Sequence, residues 1–213
     1  MALKVLIVDD HEVARQGLTA LLSNHEITIA AAVSSTAEAI EQVKSRDFDV
    51  VLLDVRMHDS DGLSALEAIR ALFPDLPVVM LSAYDNPTYV ARAAALGASD
   101  YLLKSAKRET LQLAINKAVN GAPLGPCSRM LRIREVMTQE VDTSTLPPEL
   151  PLTSREAQVL RHIALGLSNK EIAVSLNISV ETVKEHVQNV LRKVDANDRT
   201  DAAVRAVKLG MVD

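Results

Sequence analysis

The chain has 213 residues, enough for one large or two small domains. Apolar residues make up 48%, yet there is no Trp and only two Phe and three Tyr, so the cores must be built from Leu, Val, Ile and Ala. Cys127 is the single cysteine, which excludes an intrachain disulfide and a cysteine-based metal cluster and suits a reducing compartment. The net charge of -5 is unevenly spread: residues 1–122 carry 11 Lys/Arg against 16 Asp/Glu, whereas residues 150–213 carry 9 against 8. That asymmetry points to two modules with different partners. No apolar stretch approaches the ~18 residues a membrane span needs, and the N-terminus lacks a signal-peptide pattern. A cytoplasmic protein with no membrane partner is expected.

Short apolar runs alternate with helical patterns over residues 1–121. Val5-Leu6-Ile7-Val8 reads as a strand that ends at Asp9-Asp10, and Leu18, Leu21 and Leu22 carry helical spacing. Ile27 to Val33 is a second strand. Ser35-x-x-Glu38 is a capping box opening a helix over Ala37–Arg46. Val50-Val51-Leu52-Leu53 is a third, buried strand running into Asp54. A helix follows from Leu63 to Phe73, then the strand Val78–Leu81 ending at Ser82. A helix from Pro87 to Leu96 is closed by Gly97, and the short strand Tyr101–Leu103 ends at Lys104. The last helix, Thr110 to Val119, is closed by Gly121. Five strands alternating with five helices predict a doubly wound five-stranded parallel sheet.

Asp9, Asp10, Asp54, Ser82 and Lys104 each sit just past a separate strand end or beside one that does. In a parallel sheet those ends share one edge, where such folds bind ligands. Three carboxylates brought together repel, and each resists ionisation. A hard, oxygen-loving cation relieves this, and Mg²⁺ is the candidate. A carboxylate nucleophile, a metal, a hydroxyl and an ammonium make a phosphoryl-transfer site. The plainer alternatives are Asp9-Asp10 as a helix cap, Lys104 as a solvated lysine and Tyr101 as strand packing.

Residues 3–121 resemble the receiver domain of bacterial two-component response regulators. The resemblance rests on Asp9-Asp10, Asp54, Met57-x-x-x-Asp61-Gly62, Ser82-Ala83, Gly97-Ala98-x-x-Tyr101 and Lys104. It implies the strand order 2-1-3-4-5 and makes Asp54 the phosphoacceptor. Asp9, Asp10, Asp54 and the backbone carbonyl of Arg56 would hold Mg²⁺. Ser82 and Lys104 would bind the phosphoryl group, with Tyr101 the aromatic that rotates inward as Ser82 is drawn toward it. Two positions depart from the family's pattern. His58 replaces a Pro, which should only loosen a turn, and Ser105 replaces the Pro after the lysine, which could soften how Lys104 is aimed.

Residues 122–149 read as a linker: Pro123, Pro126, Thr143-Ser144-Thr145 and Pro147-Pro148 mark its ends. Met130, Leu131, Ile133, Val136 and Met137 give it a candidate short amphipathic helix. Residues 150–213 are all helix, in four pieces. Thr153-x-x-Glu156 and Ser168-x-x-Glu171 are capping boxes, Ser179 caps a longer helix over Val180–Val194, and Thr200 to Leu209 is the last. A short helix, a tight turn and a longer helix make a helix-turn-helix layout. The longer helix turns Val183, Val187, Val190, Leu191 and Val194 inward, and Lys184, Glu185, Gln188, Arg192 and Lys193 outward. The charge of this module alone favours an ordinary solvated face.

Three runs here, Leu152–Glu156, Gly166–Ala173 and Ser179–Val187, resemble the LuxR-type DNA-binding domain. That resemblance makes Val180–Val194 the recognition helix on double-stranded DNA. Lys184, Glu185 and Gln188 would face bases, while Thr182, Asn169, Lys170, Arg192 and Lys193 would meet the backbone. The last helix would pair two copies on DNA. Together the halves resemble NarL-like response regulators. They imply a transcription factor, not a turnover enzyme, that takes a phosphoryl group from a sensor histidine kinase and slowly loses it again. Two other readings compete: a phosphorylation-independent regulator whose receiver only dimerises, and an aspartyl-phosphate phosphatase. The phosphatase pattern places Asp-x-Asp after the first strand, which Asp9-Asp10 does not match.

Overall fold

The computed structural model of the chain describes residues 2–58, 61–141, 147 and 150–212. Thr143-Ser144-Thr145, Pro148 and the middle of the Met57–Asp61 turn lie outside them. Two compact units form: Met1–Asn86 with Leu96–Leu131, and Pro87–Ala95 with Arg132–Asp213.

In the first unit, β1 (Leu3–Val8), α1 (Glu12–Leu22), β2 (Ile27–Val33), α2 (Thr36–Ser45), β3 (Val50–Asp54), α3 (Gly62–Leu72), β4 (Val78–Ser82), β5 (Asp100–Leu103) and α5 (Arg108–Val119) follow in order. Every strand pairing is parallel, and the sheet order is β2-β1-β3-β4-β5, as expected. Val5–Val8, Val50–Leu53 and Val78–Leu81 are all buried. Their unbroken apolar runs follow from helices covering both faces. Val5, Ile7, Val50, Leu52, Val79 and Leu81 share one cluster with Leu18 and Leu22 of α1 and Leu111 and Ile115 of α5. Each such burial contributes roughly 1.5–3 kcal/mol.

Register then places the chemistry. Val8 lies opposite Leu53, Asp54 opposite Leu81, and Ser82 opposite Leu103. Asp9 is therefore level with Asp54, and Ser82 follows one step and Lys104 two steps further along the same edge. The ladder continues past the strands through Val55 N–H to the Leu81 carbonyl (2.9 Å) and Lys104 N–H to the Ser82 carbonyl (2.7 Å). One expected detail differs. Ser35 caps Glu38 N–H, but Glu38 reaches back to Ser34 N–H rather than to the cap residue, so the box is only half closed.

The second unit holds α4 (Pro87–Ala95), most of α6 (Arg129–Thr138), α7 (Ser154–Ala164), α8 (Asn169–Leu176), α9 (Val180–Lys193) and α10 (Arg199–Lys208). The capping boxes of Thr153 with Glu156 and Ser168 with Glu171 are both complete. Leu160, Ile163, Leu167, Ile172, Val183, Val190, Ala202 and Ala206 form its apolar core, and Met137 of α6 joins them. Arg161 donates to the carbonyls of Val136 and Gln139, which the end of α6 leaves without helical partners. Between α8 and α9 the chain turns on Asn177, whose φ of 51° is the left-handed region an asparagine tolerates. Ser179 then caps α9 at Thr182 N–H. His162 is fully buried, with Nδ1 2.8 Å from the Gln158 carbonyl and Nε2 2.9 Å from Ser175 Oγ, so it ties α7 to α8.

Candidate functional site

The carboxyl edge of the sheet opens into a cavity of about 410 Å³ lined by His11, Asp54, Arg56, Met57, His58, Ser82, Ala83, Tyr84 and Lys104. Asp54 is buried in its lining; Asp9, just behind that lining, is also buried, and Asp10 is half-buried. Lys104 bridges the two buried acids, with Nζ 2.8 Å from Asp54 Oδ2 and 2.6 Å from Asp9 Oδ2. With Ser105 behind it, Lys104 is still aimed at both carboxylates. A larger hollow of about 520 Å³ at the Asp47–Asp49 and Phe73–Pro77 loops gathers none of these strand-end groups.

Burial raises the Asp54 carboxyl above its ordinary value; the Lys104 ammonium pulls it down, Asp9 pushes it up, and the net direction is upward. Burial works to lower the Lys104 pKa, but Asp54 and Asp9 outweigh it and raise it. Burial also works to raise Asp10, yet the hydrogen bonds from His58 and the nearby His11 imidazole bring it down to about 2. Asp54 is thus held as a partly compensated charge in a site open to a small ligand.

Gly62 explains the tightness around Asp54. A Cβ there would fall 1.9 Å from the Asp54 carbonyl oxygen, so α3 can start this close to β3 only without a side chain. Asp61 caps α3 by accepting from Leu63 N–H at 3.1 Å.

The donor set fits Mg²⁺. Asp9, Asp10 and Asp54 place carboxylate oxygens within 4.8 Å of one another. Asp9 Oδ2 and Asp10 Oδ1 are buried oxygens that accept no aligned hydrogen bond, although Lys104 and His11 lie close to them. A cation satisfies such oxygens where a directional N–H does not.

Ser82 and Tyr101 are less simply placed. Ser82 Oγ donates to the Tyr84 carbonyl at 2.9 Å and accepts from Tyr84 N–H at 3.0 Å. Tyr101 is already buried, and its hydroxyl donates to the same Tyr84 carbonyl at 3.3 Å. The inward rotation expected of Tyr101 therefore has no travel left in this conformation. Arg129 grips Asp85 with two 2.7 Å bonds on the same loop, a contact the sequence reading missed.

His58 is the clearest departure from expectation. Rather than loosening a turn, it ties one: His58 N–H donates to Asp10 Oδ2 at 2.6 Å and its Nδ1 lies 2.5 Å from that oxygen. His11 Nδ1 lies 2.6 Å from Asp10 Oδ1. The sequence marked His58 only as a replaced Pro and did not single out His11; the 48 positions between His58 and Asp10 hid their contact.

On α9, Lys184, Glu185, Gln188 and Arg192 are exposed on one face, and Val183 and Val190 are buried on the other. Val187 and Leu191 pack only partly against the core. Lys184 Nζ is 3.9 Å from Glu181, a loose pair one turn away. Lys170 is exposed, while Thr182 and Asn169 are half-buried, Asn169 accepting from Arg199 at 2.9 Å. Lys193 is not on offer in the same way: its ammonium sits 2.7 Å from Glu156, the buried acid of the α7 capping box.

Residues 5–116 match the family described as the response regulator receiver domain, and residues 150–206 match the bacterial regulatory proteins of the luxR family. The chain is 35% identical to response regulator protein VraR of Staphylococcus saprophyticus over all of both chains. It is 36% identical to transcriptional regulatory protein LnrK of Bacillus subtilis over 98% of each. Among solved structures, response regulator ChrA of a heme-sensing two-component system is similar over 99% of each chain, at 29% identity and a TM-score of 0.51. Proteins built this way are DNA-binding transcription factors rather than turnover enzymes. The chain belongs to the response regulators, with a receiver domain followed by a LuxR-type helix-turn-helix domain.

Proposed function

We propose that this regulator is switched by Mg²⁺-dependent phosphorylation of Asp54 and acts as a homodimer on double-stranded DNA. The observation that carries the reading is Asp54 itself, a buried carboxylate at the base of an open pocket, gripped by Lys104 and level with Asp9. A sensor kinase's phosphohistidine is the donor: its phosphorus–nitrogen bond breaks as a phosphorus–oxygen bond to Asp54 forms. Asp9, Asp10, Asp54 and the Arg56 carbonyl would hold Mg²⁺, which supplies charge neutralisation for the transferred group. Lys104 lets go of Asp54 Oδ2 and takes a phosphoryl oxygen. Ser82 turns its hydroxyl from the Tyr84 carbonyl to another, leaving that carbonyl to Tyr101.

The division into a receiver over 1–121, a linker over 122–149 and a DNA-binding module over 150–213 belongs to the same proposal. Lys184, Glu185 and Gln188 read bases, and Thr182, Asn169, Lys170 and Arg192 meet phosphates. Lys193 joins them only by leaving Glu156. Val204 and Val207 stand exposed on α10 and suit pairing of two copies. No helix among the described residues is long and apolar enough to cross a membrane, and a cytoplasmic location is part of the reading. The test is Asp54→Asn with acetyl phosphate and Mg²⁺: labelling should vanish, and undiminished labelling would remove Asp54 from the role.

A further inference from the structure

We propose that Asp10, His11 and His58 form a site for a divalent transition metal of the zinc type at the rim of the receiver pocket, and that filling it withdraws Asp10 from Mg²⁺. The second half rests on the Mg²⁺ reading above; the first does not. One carboxylate sits between two imidazoles. His11 Nδ1 is 2.6 Å from Asp10 Oδ1, His58 Nδ1 is 2.5 Å from Asp10 Oδ2, and the ring centroids are 5.7 Å apart. All three donor atoms fall within 4.8 Å of one another.

The donor chemistry separates this set from its neighbour. Mg²⁺ takes oxygen ligands and gains nothing from imidazole, whereas Zn²⁺, Ni²⁺ and Cu²⁺ favour it. Zinc binds nitrogen at about 2.0–2.1 Å and a carboxylate oxygen at about 2.0–2.2 Å, with three protein ligands leaving one position for water. The carboxylate is the fixed member, 14% exposed, while His11 and His58 are 59% and 82% exposed and have room to swing onto an ion. Asp10 Oδ1 is also one of the buried oxygens that accept no aligned hydrogen bond. Asp10 belongs to both sets, and His11 also lies within reach of Asp9 and Asp54, so His58 is the member that sets this site apart and one metal excludes the other.

The experiment titrates the full chain, stripped of metal, with Zn²⁺ against a chromophoric chelator. One zinc per chain should bind. His58→Ala, His58→Pro and His11→Ala should each weaken it at least ~10-fold, the lower end of what loss of even an outer partner of a metal ligand costs. Asp54→Asn should leave zinc affinity within about threefold, since Asp54 is not in the set. Zinc affinity unchanged in the histidine variants, or lost in Asp54→Asn, would overturn the site and put the ion in the acidic pocket. In Mg²⁺-dependent labelling by acetyl phosphate, Zn²⁺ should inhibit, with the half-inhibiting concentration raised at least ~10-fold in His58→Ala. Equal sensitivity of the two proteins would overturn the antagonism. Absence of labelling without zinc would break the phosphorylation reading and leave the titration standing.

Discussion

The receiver pocket and the recognition helix are built on opposite principles. The pocket draws one or two side chains from each of four strand ends, and the sheet register sets their spacing before any ligand arrives. The helix face carries its candidate readers on a single element, α9, where Lys184, Glu185 and Gln188 are exposed. A pocket of the first kind is rigid and intolerant of small displacements. A face of the second kind tolerates substitution in the fold and loses only binding. That contrast suits a switch whose input must be stereochemically exact and whose output is a surface.

Substitutions can break this contrast in order of size. Gly62→Ala should be the most severe, since its methyl group would meet the Asp54 carbonyl oxygen and α3 must back away. A shift near 1 Å costs roughly 10²-fold in rate, so labelling by acetyl phosphate should slow by about that factor. A rate within threefold of wild type would show the pocket to be softer than its packing implies. On α9, Lys184→Ala should weaken binding to the cognate operator by about 1–3 kcal/mol and leave the melting temperature unchanged. Arg192→Ala should instead lower affinity on all sequences and reduce the salt slope by about one. A base-specific effect of Arg192 would contradict its assignment to phosphate.

Lys193 sharpens the boundary between the two kinds of site. Its ammonium is committed to Glu156, so Lys193→Ala should cost roughly 1.5–3 kcal/mol in folding stability, the scale of a hydrogen bond to a charged group. A changed salt slope with unchanged stability would return Lys193 to the DNA contacts.

The smallest effect is in pH. Burial raises Asp54 above its ordinary value of 3.8. A carboxyl raised on folding favours the folded state while protonated, and that contribution is lost as pH rises through the raised value. Asp54→Asn cannot ionise, so its melting temperature should exceed that of wild type at neutral pH, with the gap closing toward pH 4 and below. A gap constant across that window would mean that Lys104 holds Asp54 at its ordinary value.

Much of this was legible before any coordinates. The apolar runs end where the charges begin, so Asp9, Asp54, Ser82 and Lys104 could be put on one edge from strand parity and parallel topology alone. Both LuxR-type capping boxes could be read because a box is local, spanning four residues. What escaped reading were the contacts that no strand-end pattern points to. His58 on Asp10 spans 48 positions and Lys193 on Glu156 spans 37. Ser82 turned toward Tyr84 is local but depends on the loop's path, which no periodicity encodes. The expectation that His58 merely loosens a turn failed for the same reason: a residue type says what it can bind, and only the fold says what is in reach.

The central claim is that filling the pocket drives assembly. Sedimentation of the purified full-length protein with and without beryllofluoride and Mg²⁺ tests it directly. The account predicts a shift from a lighter to a dimeric species on addition, absent in Asp54→Asn. A wild-type protein whose sedimentation is the same in both conditions would contradict it.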